Sequence, residues 1–178
     1  YRIGANYRNQ WSSIMAVPYK TMSIWGDAQV FRDGIESGWL GLGGVILRDV
    51  AGSGGLTSTK IYASAAYHQM LGVAHLLSAA FNVGWANKRI NTANLTFPSQ
   101  WNGKFFDAHM VSTAPKLDYS NINYLDMQVG MNYAYFPNDR TYFNIGLSAM
   151  HVNKPKESFF NEQEGVNNTV PARYTAFL

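Results

Sequence analysis

Residues 125–135 read LDMQVGMNYAY, and apolar side chains alternate with small or polar ones along the whole stretch. Successive side chains of a β-strand point to opposite faces, so this alternation predicts a strand with one apolar and one polar face. The apolar set is Leu125, Met127, Val129, Met131, Tyr133 and Tyr135, and the other set is Asp126, Gln128, Gly130, Asn132 and Ala134.

The same alternation recurs along the chain and predicts about eight strands. Their approximate ranges are 2–11, 19–31, 38–50, 56–70, 75–89, 121–136, 140–152 and 171–178. Trp25 interrupts the pattern in the second strand, and residues 39–48 are apolar on both faces. Most of these strands are longer than the roughly 5–6 residues of a typical soluble strand, and a membrane strand needs about 9–11. The pattern therefore predicts an all-β fold, an antiparallel transmembrane β-barrel of the outer-membrane type.

One apolar run raises the alternative of a transmembrane helix. Residues 61–87 contain no Asp, Glu, Lys or Arg, but they include His68, Gln69, His75 and Asn82. A spanning helix needs about 20 predominantly apolar residues, and this run alternates with period two instead. We therefore interpret it as two strands, with a short helix over residues 70–81 as the alternative.

The composition fits a barrel wall and excludes several classes of protein. Charged residues make up 14% of the 178 residues and aromatic residues 15%, while mean hydropathy is only −0.18. The chain has no Cys, which excludes disulfide frameworks and thiol chemistry. A net charge of +3 does not indicate nucleic-acid binding. Because the chain starts without Met and ends in an apolar strand, we expect a single β-barrel domain over residues 1–178 that is incomplete at both ends.

The polar sides of the predicted strands carry mostly Gly, Ala, Ser, Asn and Gln with a few charges, which suits a narrow, partly filled lumen. We expect these side chains to face the lumen: Arg8, Asp27, Lys60, His68, Asn82, Lys88, Asp126, Gln128, Asn132 and Arg173. Aromatic residues near strand ends would form interfacial girdles, unless they merely reflect the preference of aromatics for strands. They are Trp11, Trp39, Tyr133, Tyr135, Phe136 and Tyr142.

The predicted connections alternate in length. Residues 32–37, 72–74 and 136–139 are short, whereas residues 12–18, 51–55, 90–120 and 153–170 are longer. Outer-membrane barrels have short periplasmic turns and long extracellular loops, so we expect the longer connections to face outward.

Candidate chemistry in the chain is sparse. The four His residues share no metal-ligand spacing, and His151 is expected to be a strand-end residue. The glycine-rich residues 41–44 lie within a strand, and residues 52–55 form a hairpin tip without the Lys-Ser/Thr of a phosphate loop. We therefore expect no catalytic residue, metal, cofactor or small-molecule substrate.

Several segments, in this order, resemble one known family. They are residues 6–11 (NYRNQW) with Ile14, 40–43 (LGLG) with 49–52 (DVAG), 66–68 (AYH), 95–100 (LTFPSQ), 146–151 (GLSAMH), 154–159 (KPKESF) and 171–174 (PARY). On these segments the chain resembles the PorP/SprF outer-membrane proteins of the Bacteroidetes type IX secretion and gliding machinery. The resemblance covers nearly the whole chain, although family members are longer at both ends.

The resemblance implies a non-enzymatic outer-membrane protein. Its partners would be outer-membrane lipid, other type IX secretion components and a secreted, adhesin-like cargo protein with a C-terminal sorting domain. Some members are instead similar to parts associated with the secretion motor. Two other functions stay open at this stage: a passive porin or hydrophobic-solute channel, which predicts steady conductance, and an outer-membrane enzyme, which predicts a reactive cluster at the outer rim.

The two longest connections are rich in aromatic residues. Loops of more than roughly 12–15 residues are usually functional or disordered, and disordered loops seldom hold many aromatics. Ordered aromatic loops suit a protein interface, whereas the alternative is that they fold inward as a plug. The candidate partner-binding residues are Phe97, Trp101, Phe105, Phe106, Met110, Phe159 and Phe160.

Overall fold

A computed structural model of the chain describes residues 1–15, 17–31, 37–52, 54–91, 95, 97–107, 109–112, 117–160 and 168–178. These residues form one antiparallel sheet of eight strands that neighbour one another in chain order. The strands are β1 (Arg2–Gln10), β2 (Tyr19–Val30), β3 (Gly38–Ala51), β4 (Leu56–Met70), β5 (His75–Arg89), β6 (Asn121–Asn138), β7 (Thr141–Met150) and β8 (Arg173–Phe177).

The described residues contain no α-helix, and Pro98–Gln100 forms a single 3-10 turn. No helix in this part of the chain is long and apolar enough to cross a membrane. The predicted all-β, antiparallel class is thus confirmed, and residues 70–81 contain a turn followed by the start of β5. The edges of the sheet are β1 and β8, so over the described residues the sheet is open.

The observed strand ends lie close to the predicted ones, with one informative exception. Residues 136–138, which were expected to form a turn, belong to β6, and only Asp139 and Arg140 connect it to β7. The pairing shifts register between Tyr135 and Asn138, around Pro137. Proline has no N–H to donate, and a bulge accommodates it within a paired strand.

The connections at the two ends of the sheet differ in length. At one end, residues 11–18, 52–55, 90–120 and 151–172 join successive strand pairs; at the other, the connections are 31–37, 71–74 and 139–140. The connection predicted over residues 51–55 as one of the longer ones spans only residues 52–55, as few as residues 71–74. Most of the expected turn at 32–37 lies outside the described residues.

The sheet has an apolar face and a polar face, and its apolar face is largely uncovered. Val129 pairs with Phe81 and Ala149 on neighbouring strands, and Val129 is 43% exposed at mid-strand. Among the described residues, the buried hydrophobic side chains are only Ala86, Tyr124 and Ala134. A continuous apolar face of this size needs an apolar surrounding, because soluble monomers rarely expose such patches.

Two tryptophans lie on the polar face of the sheet. Trp25, which interrupts the alternation, lies on the polar face directly above Gly4, where a Cβ would come within 2.5 Å of the indole ring. Trp39, a candidate for an interfacial aromatic girdle, also lies on the polar face, stacked on His68 with 5.0 Å between ring centroids. Gly4 and His68, on neighbouring strands, each contact one of these rings. Strand periodicity alone does not reveal such contacts.

Candidate functional site

The polar face brings together side chains from all eight strands. One row of paired residues runs from β2 to β6 through Asp27, Gly43, Ser64, Asn82 and Gln128. By register, the residues expected to line a lumen all share this face: Arg8, Asp27, Lys60, His68, Asn82, Lys88, Asp126, Gln128, Asn132 and Arg173.

A buried carboxylate lies on this face in β6. Asp126 is 0% exposed, and its Oδ2 accepts hydrogen bonds from Tyr62 Oη at 2.7 Å and from Gln128 Nε2 at 3.3 Å. Its Oδ1 pairs with His151 Nδ1 at 2.8 Å. A buried carboxylate is tolerated only when it is paired and hydrogen-bonded in this way. The sequence placed Asp126 on the polar face but indicated neither Tyr62 nor His151 as its partner.

Tyr62 reaches Asp126 because Gly84 lies between them on β5. Tyr62 pairs with Gly84, and Gly84 pairs with Asp126. A Cβ at Gly84 would lie 2.1 Å from Tyr62 Cδ1, so the tyrosine ring lies flat across the glycine. The glycine therefore sets the direction of the tyrosine side chain.

Substitution of Gly84 by Ala is expected to displace the Tyr62 ring and break its hydrogen bond to Asp126. A buried carboxylate that loses a donor costs about 1–3 kcal/mol of folding free energy. The matched control is Gly130→Ala on the same face, where a Cβ would meet the nearest atom, Leu147 O, at an ordinary 3.6 Å. Urea unfolding in lipid vesicles would compare the two, and equal stabilities would contradict the role assigned to Gly84.

Where the β7–β8 connection leaves the sheet, one side chain makes the hydrogen bonds that a strand backbone would make. Val152 N still donates to Met127 O at 3.0 Å. The Asn153 side chain then continues the ladder, because its Nδ2 donates to Leu125 O at 2.6 Å and its Oδ1 accepts from Met127 N at 3.0 Å. The edge of β6 is therefore paired while the main chain turns away.

Beyond Asn153 the connection forms a narrow, two-stranded arm. Glu157 N donates to Asn168 O at 2.9 Å, and Val170 N donates to Pro155 O at 2.8 Å. Pro155 is buried. These bonds hold the described parts of the connection, residues 153–160 and 168–171, together.

Glu157 ties this arm to the polar face of the sheet. Its Oε1 pairs with Lys88 Nζ on β5, and its Oε2 accepts a hydrogen bond from Tyr124 Oη on β6 at 2.7 Å. Burial raises the pKa of Glu157, but the Lys88 and Tyr124 hydrogen bonds and the charges of Lys88 and Lys60 outweigh it and leave the pKa below its ordinary value. A polar cavity of about 540 Å³ lies here, lined among others by Lys60, His151 and Thr169.

The stability contributed by Glu157 is expected to depend on pH. Because its folded-state pKa is lowered, the contribution is fully present above the ordinary pKa of a glutamate and is lost as pH falls through the lowered value. The charges of Lys88 and Lys60 stabilise the ionised carboxylate, so protonation of Glu157 removes this stabilisation. The measurement is the difference in free energy of unfolding between the parent and Glu157→Gln, which should shrink with acidification. A difference that is constant with pH would contradict this linkage.

The β5–β6 loop contains a small hairpin with three exposed aromatic side chains. Trp101 and Phe106 form a β-bridge, and their rings meet edge to face with centroids 5.2 Å apart. Between them, Asn102 Oδ1 accepts from Phe105 N at 3.0 Å, and Gly103 adopts a φ of +95°. The exposed fractions of Trp101, Phe105 and Phe106 are 48%, 58% and 52%, and we call these three residues the aromatic tip.

Gln100 holds the base of this hairpin in place. The side chain is buried; its Oε1 accepts from Phe97 N at 3.0 Å, and its Nε2 donates to Met110 O at 3.2 Å. Its main-chain carbonyl accepts from Asp107 N at 2.9 Å. The tip is therefore an ordered structure, and Gln100 is a structural residue that the aromatic pattern did not single out.

The remaining candidate partner-binding residues differ in their exposure to solvent. Met110 and Phe160 are exposed, whereas Phe97 and Phe159 are half-buried. The Phe159 carbonyl accepts hydrogen bonds from both Asp118 N and Tyr119 N at 3.0 Å, which joins the two long connections. Most aromatic residues described in the first connection are exposed, whereas the second connection combines the exposed Phe160 with Glu157, which binds the polar face.

The opposite end of the polar face has a second polar cavity. His68 Nδ1 lies 2.8 Å from Ser78 Oγ, and Arg2 pairs with Asp27 at 2.9 Å. With Trp39, these residues, apart from Ser78, are among those that line a cavity of about 600 Å³. Across the described residues, no group of three His, Asp or Glu side chains could hold a metal ion.

A comparison with known protein families identifies the family of the chain. The model of the family described as type IX secretion system membrane protein PorP/SprF matches residues 1–177. The chain belongs to this family. No curated protein and no solved structure matches the chain.

The PorP/SprF assignment confirms the resemblance drawn from the sequence segments. PorP/SprF proteins are outer-membrane β-barrels of a secretion system and are not an enzyme family. The described residues form an eight-stranded antiparallel sheet, consistent with this barrel class, and membership of the family implies interaction with other components of type IX secretion.

Proposed function

We propose that this PorP/SprF protein helps a secreted cargo protein reach or remain at the cell surface. The cargo would be an adhesin-like protein carrying a C-terminal sorting domain. The polar face would line a filled lumen, and the apolar face would contact outer-membrane lipid.

The ordered aromatic tip is the observation that carries this proposal. Trp101, Phe105 and Phe106 are half exposed, yet the hairpin that bears them is fixed by the buried Gln100. Aromatic side chains on a rigid loop bind partners with little loss of conformational entropy, and they are enriched at the centres of protein interfaces. A tip built only to plug the lumen would turn these rings inward.

The arrangement of the connections supports an outward position for the tip. The two longest connections lie at the same end of the sheet, and the turns at the other end are short. In outer-membrane barrels the short turns face the periplasm. We therefore assign the tip to the extracellular side.

The contents of the polar face argue against the passive porin. The Trp25 and Tyr62 rings lie on this face, and Asn82 donates to Gln128 on the neighbouring strand at 3.4 Å. The Glu157 arm covers one end of the same face. In a closed barrel, these large side chains on the wall and the arm across one end would narrow the aqueous path.

Purification in mild detergent followed by mass spectrometry tests the proposal. A large secreted protein with a C-terminal sorting domain should copurify in stoichiometric amounts, and the purified protein should show no large steady current in a planar bilayer. Copurification of no such protein, together with steady porin-like conductance, would overturn the proposal in favour of the channel.

A further inference from the structure

The segment 153–160, which we call the lid, is the first half of the arm, and its side chains bind the sheet at Asn153 and at Glu157. Its first residues follow the edge of β6 through Asn153, and positive φ angles at His151 and Lys154, 56° and 44°, turn the chain away from the strand direction. Glu157 then reaches back to the wall. The lid is therefore attached to β6 through Asn153, where the chain turns, and to β5 and β6 through Glu157.

The fastening contacts form a latch made of Glu157, Lys88 and Tyr124. The side chains of Lys88 and Glu157 retain only 25% and 26% of their exposure. A partly buried ion pair contributes more than a surface pair, because removal of one partner leaves the other charge poorly solvated. Lys88 and Tyr124 lie on neighbouring strands, so the latch closes only when the lid lies across β5 and β6.

The latch is coupled to the loop that carries the aromatic tip. Two residues after Glu157, the Phe159 carbonyl accepts both main-chain hydrogen bonds from Asp118 and Tyr119, at the end of the β5–β6 loop. A lid that lifts by the length of one side chain must break these bonds or carry the loop with it.

We propose that Glu157 latches the lid over the extracellular end of the lumen, and that the closed latch fixes the base of the loop bearing the aromatic tip. This inference rests on the proposed docking role of the tip. It adds a regulatory element to that role: an event that opens the latch unseals the lumen and frees the docking loop together.

Cysteine labelling measures the lid directly, because the chain has no Cys of its own. Ser158→Cys, a half-buried and nearly isosteric change next to Glu157, places one reporter in the lid. Adding Glu157→Gln should make a membrane-impermeant maleimide react severalfold faster, and the charge exchange Lys88→Glu with Glu157→Lys should restore slow labelling. Asp139→Asn, an exposed acidic change at the other end of the sheet, should have no effect. A separate Ser12→Cys protein, labelled on an exposed loop, monitors correct insertion.

Hydrogen exchange measures the coupling in the same variants. Glu157→Gln should remove protection from the Asp118 and Tyr119 amides but leave that of Asp107, which bonds to Gln100 within the tip. Unchanged labelling of the lid in Glu157→Gln would overturn the latch, and unchanged protection at Asp118 and Tyr119 would overturn the coupling. Neither readout uses cargo, so cargo copurification with the parent protein reports on the docking role independently.

Discussion

Arginine in place of Val129 is expected to destabilise the protein by about 2–4 kcal/mol, the cost of a cationic side chain near the midplane of a lipid-facing strand. Val129 lies near the middle of β6 on the apolar face, between Phe81 and Ala149. A long charged side chain at mid-strand is far from either membrane surface and reaches water only with difficulty.

The neighbouring residue supplies the control for this experiment. Gln128→Arg places the same side chain on the polar face, where Gln128 already bonds to the buried Asp126 carboxylate. The guanidinium finds a counter-charge there, so a much smaller effect is expected. Urea unfolding of both variants in lipid vesicles measures the difference, and equal destabilisation would show that the two faces are not lipid and lumen.

Replacement of Trp101, Phe105 and Phe106 by Ser is expected to lower the amount of cargo at the cell surface by about tenfold or more. Aromatic residues at the centre of an interface each contribute about 2 kcal/mol or more, and 1.4 kcal/mol is already a factor of ten in affinity. The barrel itself should assemble normally, because the tip side chains are about half exposed and the base of the hairpin is held by Gln100.

These substitutions are a sharper test than shortening residues 102–118, the change that the loop length by itself suggests. That deletion also removes Asp118, whose amide bonds to Phe159 in the lid, so it disturbs both connections. Leu71→Ser with Val73→Ser, exposed apolar positions in the β4–β5 turn, is the matched control and should leave cargo at the surface. Full cargo display by the tip variant would exclude the tip as the docking site.

Strand positions were predictable because the alternation of apolar and polar side chains is a local property of the sequence. The alternation over residues 56–70 and 75–89 predicted β4 and β5 with both boundaries, since side-chain direction along a strand depends only on its own backbone. Contacts between strands were not predictable in this way. Trp25 lies over Gly4 and Trp39 stacks on His68, and no local pattern reveals which residues of a neighbouring strand these rings meet.

The sequence by itself determined the all-β class, the two faces of the sheet, the aromatic content of the long connections and, through its segments, the family. Only the tertiary structure decided which polar groups meet. Tyr62 and Asp126 are 64 positions apart in the chain, and Lys88 and Glu157 are 69 apart. Such partners are chosen by the register between strands and by the path of a connection, and both result from packing of the whole sheet. The polar face was therefore visible in the sequence, whereas its buried carboxylate network and its latch were not.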